Sequence, residues 1–303
     1  MSDRPSDRVD EQPASHQVTA TGSAIWGADS YALRRRFTMS ARRVGRRTLE
    51  QIRSGLSERD IAVLEGVDEF RLLTAPQIEA LWFADHASKL AGVRASRRVL
   101  ERLTRDRLLV RLERRVGGVR AGSASYIYAI GPIGYRVLHD DTTRRWREPS
   151  ASFVAHTLAV AQIVVDLRVA VREGRCDLVT YECEPNSWRT FTRGMGARET
   201  LKPDLHIVTG DEHDEWWWFV EVDLGTESGT AIARKCRTYH DYWTTGTEQE
   251  HHGAYPKVLW IADTKRRVEF ISQTIAKTRT INQDLFAVAI ESDATAVLAG
   301  GRP

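Results

Sequence analysis

Three carboxylates and a lysine stand out by their surroundings. Pro203-Asp204 precedes an apolar run, Trp216-Trp217-Trp218-Phe219-Val220, that ends in Glu221-Val222-Asp223. Residues two apart on a strand share a face, so Glu221 and Asp223 project together while Val222 points away. A run this aromatic and β-branched on both faces reads as a strand buried in the middle of a sheet. Carboxylates at its end are costly there unless something positive pairs with them. A hard divalent cation, Mg2+ or Mn2+, would suit, with Asp204 on a neighbouring strand as a third ligand. The alternative is a solvated acidic pair at a strand end, which the short Glu-x-Asp does not exclude.

The elements that must position these groups can be read around them. After a Gly-Thr-Glu-Ser break, a helix from Ser228 to Trp243 carries Arg234, Lys235, Tyr239 and Tyr242. Lys235, Tyr239 and Tyr242 lie at i, i+4 and i+7 and share a face. Lys235 either supplies a cation to the site or pairs with Asp223 in a structural salt bridge. Both tyrosines could be covalent nucleophiles, but no three-histidine cluster is present to activate them, which favours core or phosphate-contact roles. A helix from about Phe153 to Glu173 places His156 in its first turn, as a surface residue, a cap or a further ligand. Strands at 178–183, 258–262 and 285–290 and a helix at 266–276 complete an α/β domain with a central mixed sheet. The stretch between Cys183 and Leu201 reads as a polar loop, and the Ala- and Gly-rich tail from 294 as frayed.

Charge divides the chain. Residues 1–150 hold 27 Lys and Arg against 19 Asp and Glu, and the remainder 17 against 22. That asymmetry points to a front that binds a polyanion and an acidic, metal-binding back. Residues 1–54 read as a disordered basic arm, with arginines crowded between Arg34 and Arg53; they are either a solvated tail or phosphate contacts. Two short helices follow, the first capped by Ser57 and the second by Thr74 with Pro76 in its first turn. A third, from about Ser88 to Asp106, has Leu90, Val93, Val99, Leu100 and Leu103 as its apolar residues. Arg94, Arg97, Arg98, Arg102 and Arg105 are its basic ones. Two strands joined through Gly117-Gly118 come next, with Arg114, Arg115 and Arg120 near the tip. Three helices and a glycine-turned hairpin make residues 55–139 a winged helix-turn-helix, the third helix in the major groove and the wing along the backbone. The expected partner is double-stranded DNA with an origin-like site. The alternative is a winged helix used only for protein contacts. Residues 140–152 read as a linker, which makes the two halves separable units.

No apolar run nears the ~18 residues of a membrane span. Three cysteines without paired spacings suggest neither zinc nor a disulfide framework, so a reducing cytoplasm is the expected compartment.

Pro203-Asp204 with Glu221-x-Asp223 resembles the PD-(D/E)xK nuclease signature, with Asp223 standing where the lysine is usual. The string from Phe219 to Glu227, with Arg234-Lys235, Tyr239 and Tyr242 downstream, resembles the replication-relaxation family, which includes MOBC-type relaxases of mobilisable plasmids. The resemblance implies a restriction-endonuclease-like α/β fold over residues 153–293 and a metal held by Asp204, Glu221 and the Val222 carbonyl. It implies catalysis by Asp204, Glu221, Asp223 and Lys235, the lysine having migrated to the following helix, and a metal-dependent nicking enzyme of a mobile element. A coupling or replication protein is a further expected partner. The alternative is a DNA-binding replication or transfer regulator with a degenerate nuclease-like domain.

Overall fold

The computed structural model describes residues 45–116, 125–139, 150–193 and 196–300, without the side chains of 113–116. The basic segment before Gly45, Arg120 and the side chains of Arg114 and Arg115 lie outside them. The described chain opens with helix α1 (Arg46–Ser54), anchored by the buried Leu49, where a disordered arm through residue 54 is expected. Helices α2 (Glu58–Glu69) and α3 (Ala75–Trp82) each begin with a capping box, closed by Ser57 with Asp60 and by Thr74 with Gln77. Strand β1 (Leu73–Thr74) lies between them, and helix α4 (Lys89–Arg105) follows with Ser88 as its cap. Strands β2 (Leu109–Val116) and β3 (Ser125–Ile130) pair antiparallel, and β1 pairs with β3. A helix the sequence reading lacks, α5 (Pro132–His139), packs on α1 and α2.

Helix α6 (Ala151–Arg172) starts the second half two residues earlier than expected. It is long and apolar enough to cross a membrane by length and composition, which corrects the reading that no segment approaches this; half of its apolar window is buried in the protein. A helix apolar nearly all round is one with neighbours on several sides. Here those neighbours are α3, β1, strand β4 (Asp177–Cys183), strand β8 (Glu215–Asp223) and helix α10 (Glu291–Leu298). The segment read as a polar loop contains a separate two-stranded sheet, β5 (Arg189–Thr192) with β6 (Arg198–Leu201).

Strands β7 (Leu205–Gly210), β9 (Lys257–Ala262) and β10 (Phe286–Ile290) complete a mixed five-stranded sheet in the order β10-β9-β8-β7-β4. The β8–β9 and β9–β10 pairs are parallel, and β7 is antiparallel to both β8 and β4. The turn between β7 and β8 is fixed by Asp211, whose Oδ1 accepts the N–H groups of His213 and Asp214. Helices α7 (Gly229–Thr244) and α9 (Lys265–Lys277) cover one face, α6 and α10 the other, while the short α8 (Thr247–His252) follows α7. The trp-rich strand is thus central, as its double-sided apolar pattern requires. Residues 294–298 are not frayed but close a helix. Ala294, Val297 and Leu298 fall at i, i+3 and i+4 and are buried, and the Leu298 carbonyl accepts a bond from the Thr209 hydroxyl.

The halves share a core. Leu72, Val110, Leu112, Ile127 and Ala129 from the front cluster with Val154 and Leu158 of α6. Gln77 does two jobs: its Oε1 accepts the Thr74 N–H of the capping box, and its Nε2 donates to the Leu158 carbonyl at 2.9 Å. Phe70 stacks on Tyr181 at 5.9 Å, and Arg46–Pro303 forms one compact unit.

Leu298→Ala is expected to cost about 2–5 kcal/mol, the range for a large-to-small change in a close-packed core. Urea unfolding of the full chain measures it; an unchanged midpoint would mean that α10 packs without contributing.

Candidate functional site

Register puts the carboxylates on a definite face. Phe219, Glu221 and Asp223 stand opposite Val258, Trp260 and Ala262 of the parallel neighbour β9. Phe219, Val258, Trp260 and Ala262 pack with Ile232, Cys236 and Tyr239 of α7 and Ile271 of α9. Alternation therefore aims Glu221 and Asp223 into the layer between the sheet and those two helices. Both are almost wholly buried, each 2% exposed.

Asp204 reaches the same place by a local device. The β7–β8 ladder ends at Leu205 and Val220, and the Asp204 N–H adds one more bond, to the Val220 carbonyl. The Pro203 carbonyl is turned to the Ser187 hydroxyl at 2.7 Å. Val222 N–H is then left for a side chain, and Asp204 Oδ2 accepts it at 2.8 Å. Asp204 Oδ1 lies 3.0 Å from His156 Nε2 on the first turn of α6. That bond holds the imidazole above its ordinary pKa, against the opposing effect of burial. A cavity of about 40 Å³ opens beside this pair, lined also by Arg71 and Glu184.

Glu221 is held from α7. Lys235 Nζ donates to its Oε2 at 2.8 Å and Tyr239 Oη to its Oε1 at 2.7 Å. Burial pushes the carboxyl up to about 7; Lys235 works against that rise and the Asp204 charge adds to it. Lys235 also meets Glu227 Oε1 at 2.6 Å and lies 5.5 Å above the Trp260 ring. Burial alone would lower its pKa, but Glu221 and Glu227 outweigh burial and raise it.

Asp223 is taken out of this group. Arg267 of α9 binds its Oδ2 through Nε and Nη2, at 3.2 and 2.6 Å, and Gly225 N–H donates to its Oδ1 at 2.7 Å. Gly225 sits at φ +82°, where a side chain would be strained, and this lets the chain fold back onto Asp223. Asp223 answers to Arg267, and Lys235 pairs with Glu221 rather than with Asp223. Among the described residues no three His, Cys, Asp or Glu side chains are grouped to hold a metal ion.

The structure therefore brings together Asp204, Glu221, Lys235, His156 and Tyr239. Tyr239 is fully buried, and its hydroxyl, pushed well above its ordinary pKa by burial, locks Glu221 in place. Tyr242 belongs elsewhere, donating to Glu248 Oε1 at 2.6 Å. Two partners escaped the sequence reading. Glu227 lies inside the Gly-Thr-Glu-Ser break with no periodicity to mark it, and Arg267 is 44 residues from Asp223.

On α4, Arg94, Arg97 and Arg98 are exposed. Arg102 turns inward instead and pairs with Asp60, the buried capping-box residue of α2. Leu90, expected in the apolar face, is 69% exposed.

A family model described as replication-relaxation matches residues 64–258, more than half of the chain. No curated protein and no solved structure matches it.

Two outcomes follow from the charges. Arg267→Ala strands a buried carboxylate and is expected to cost about 3–5 kcal/mol in urea unfolding. The double variant Asp223→Ala/Arg267→Ala should cost less than the two single changes together, and strict additivity would show that the pair is not coupled. His156, raised above its ordinary 6.5, contributes stability that is fully present below that value and lost as pH rises through the folded pKa. Its imidazole resonances should titrate with a raised midpoint that Asp204→Asn returns downward; a midpoint unmoved by that change would sever the link to Asp204.

Proposed function

The chain belongs to the replication-relaxation family, and from that membership and the site geometry we propose that it acts in plasmid replication or mobilisation as a DNA-binding, divalent-cation-dependent nicking protein. One observation carries the reading: Lys235 Nζ lies 2.8 Å from Glu221, and the Asp204 charge acts on the same carboxyl. That arrangement supports an acid–acid–lysine set like that of the PD-(D/E)xK nucleases, with its lysine on α7. The usual lysine position holds Asp223, which Arg267 neutralises.

Helices α2, α3 and α4 followed by the β2–β3 pair support a winged helix in the front half. α4 would lie in the major groove with Arg94, Arg97 and Arg98 toward DNA. The expected wing tip lies outside the described residues.

Asp204 and Glu221 fit a hard cation. Each of their oxygens accepts one hydrogen bond from the protein, and a carboxylate oxygen has two lone pairs. Two carboxylates are enough for Mg2+, which usually keeps several waters and takes further oxygens from a substrate phosphate. Held by Asp204 and Glu221, such a cation would polarise a phosphoryl oxygen and lower the pKa of a bound water. The protein's own groups then have distinct tasks. Tyr239 and the Val222 N–H fix the directions of Glu221 and Asp204. Lys235, released from Glu227 toward a phosphate, stabilises the negative charge that develops there. His156 shares a proton with Asp204 at Nε2 and keeps that carboxylate oriented.

A second reading has its own observation. Because every oxygen of Asp204 and Glu221 already has a protein donor, the constellation is also a self-sufficient buried polar network. The protein would then be a DNA-binding regulator of replication or transfer.

A supercoiled plasmid carrying the cognate origin separates the two. The full chain should convert it to nicked circle only with Mg2+ or Mn2+, and Glu221→Gln should abolish nicking while leaving the gel-shift affinity unchanged. Lys235→Ala should lower the rate by roughly 10²–10³, as loss of a transition-state donor does. The triple change of Arg94, Arg97 and Arg98 to Ala should weaken DNA binding and flatten its salt dependence. If the wild type binds the origin and nicks with neither cation, the regulator reading stands.

A further inference from the structure

A short series of contacts joins the exposed arginines of α4 to the carboxylate pair. α4 packs on α3, and α3 packs on α6. α6 carries His156, whose Nε2 lies 3.0 Å from Asp204 Oδ1. Nothing in that series resembles a hinge. The Gln77 amide is buried where α3 meets α6, and its Nε2 donates to the Leu158 carbonyl at 2.9 Å and to Gln162 Oε1 at 3.0 Å. Beside it, seven apolar side chains from both halves, none more than 7% exposed, form one cluster. Tyr181 of β4 stacks on Phe70 and donates to Glu69 Oε2 at 3.0 Å, so α2 is tied to the sheet independently of α3.

Two domains of a chain move relative to one another by default unless the surface between them is large and apolar. Opening this junction would expose the apolar cluster to water and exchange the two bonds from Gln77 Nε2 for bonds to water, and the exposed cluster is the larger cost. We infer that the described chain from α1 to α10 works as a rigid ruler: duplex DNA held on α4 is presented to Asp204 and Glu221 at one fixed offset along the helix axis. This rests on the proposed DNA-binding face and deepens it, because position would then be set by two separate choices. The arginine face of α4 selects the sequence, and the α3–α6 junction selects the distance.

The test does not need the protein to cleave. Thr226 is exposed in the loop after β8, and the native Cys176, Cys183 and Cys236 are buried, so Thr226→Cys can carry a chelated iron selectively. The probe is a duplex selected on the full chain from a random-sequence pool, with the footprint of α4 read on the same molecules. Hydroxyl-radical cuts should cluster within about one helical turn, roughly 10 base pairs, at a constant distance from the footprint. Gln77→Ala with Leu158→Ala should widen the cut pattern and leave the footprint in place. Where that pair fails to fold, Gln77→Ala alone should show a smaller widening. A sharp footprint with scattered wild-type cuts overturns the ruler and leaves DNA binding intact. Cuts as tight in the loosened variant as in the wild type overturn the role of the junction. Absence of any footprint removes the DNA-binding reading and the ruler with it.

Discussion

Glu221 on the central strand is the constraint around which the second half is arranged. A carboxylate 2% exposed cannot keep its charge without partners that replace water. Those partners come from α7, one turn apart: Lys235 supplies the charge and Tyr239 the second hydrogen bond. α7 can offer them only if it lies along β8 in one register, and Ile232, Cys236 and Tyr239 packed under it set that register. Burial still raises the Glu221 carboxyl to about 7, with Lys235 opposing that rise and the Asp204 charge adding to it.

Asp223 shows the opposite solution two residues on. Its charge is met by a guanidinium with two N–H groups on one oxygen and by a backbone N–H on the other. The same guanidinium donates to the Glu227 carbonyl, which fastens the loop that carries Glu227 to Lys235. Asp223 therefore serves the scaffold, and Lys235 is fixed between Glu221 and Glu227.

Much of this was legible in the sequence, and the limits have physical causes. The central strand was readable because an aromatic run buried on both faces has few other homes, and the lysine–tyrosine face of α7 because 3.6-residue periodicity is local. Asp204 beside Glu221 was readable from the Pro-Asp before the strand. What failed depends on contacts that local pattern does not encode. Arg267 could not be assigned to Asp223 from 44 residues away. The alanine and glycine content of the tail reads as frayed, whereas the spacing of Ala294, Val297 and Leu298 determines that this stretch docks. Arg102 looked like its neighbours on α4 until Asp60, buried by its own capping box, claimed it. Residues 140–149 of the expected linker lie outside the described residues, and a lack of periodicity there cannot register that Leu158 packs with the core of the preceding half.

α6 is where these threads meet, and its sequence carries the mark. A helix facing one sheet needs one apolar stripe; this one needs several, because it serves as the floor of the second half and the wall of the first. That demand produces the apolar composition that also satisfies the length and hydropathy of a membrane span. The polar exceptions are placed where the helix touches something specific. Gln162 receives the Gln77 amide at the junction, and His156 stands at the first turn beside Asp204. One helix thus fixes the front half by its middle and the carboxylate pair by its start. A shift of α6 along its axis would disturb both at once, so the packing that joins the halves and the hydrogen bond that orients Asp204 constrain each other.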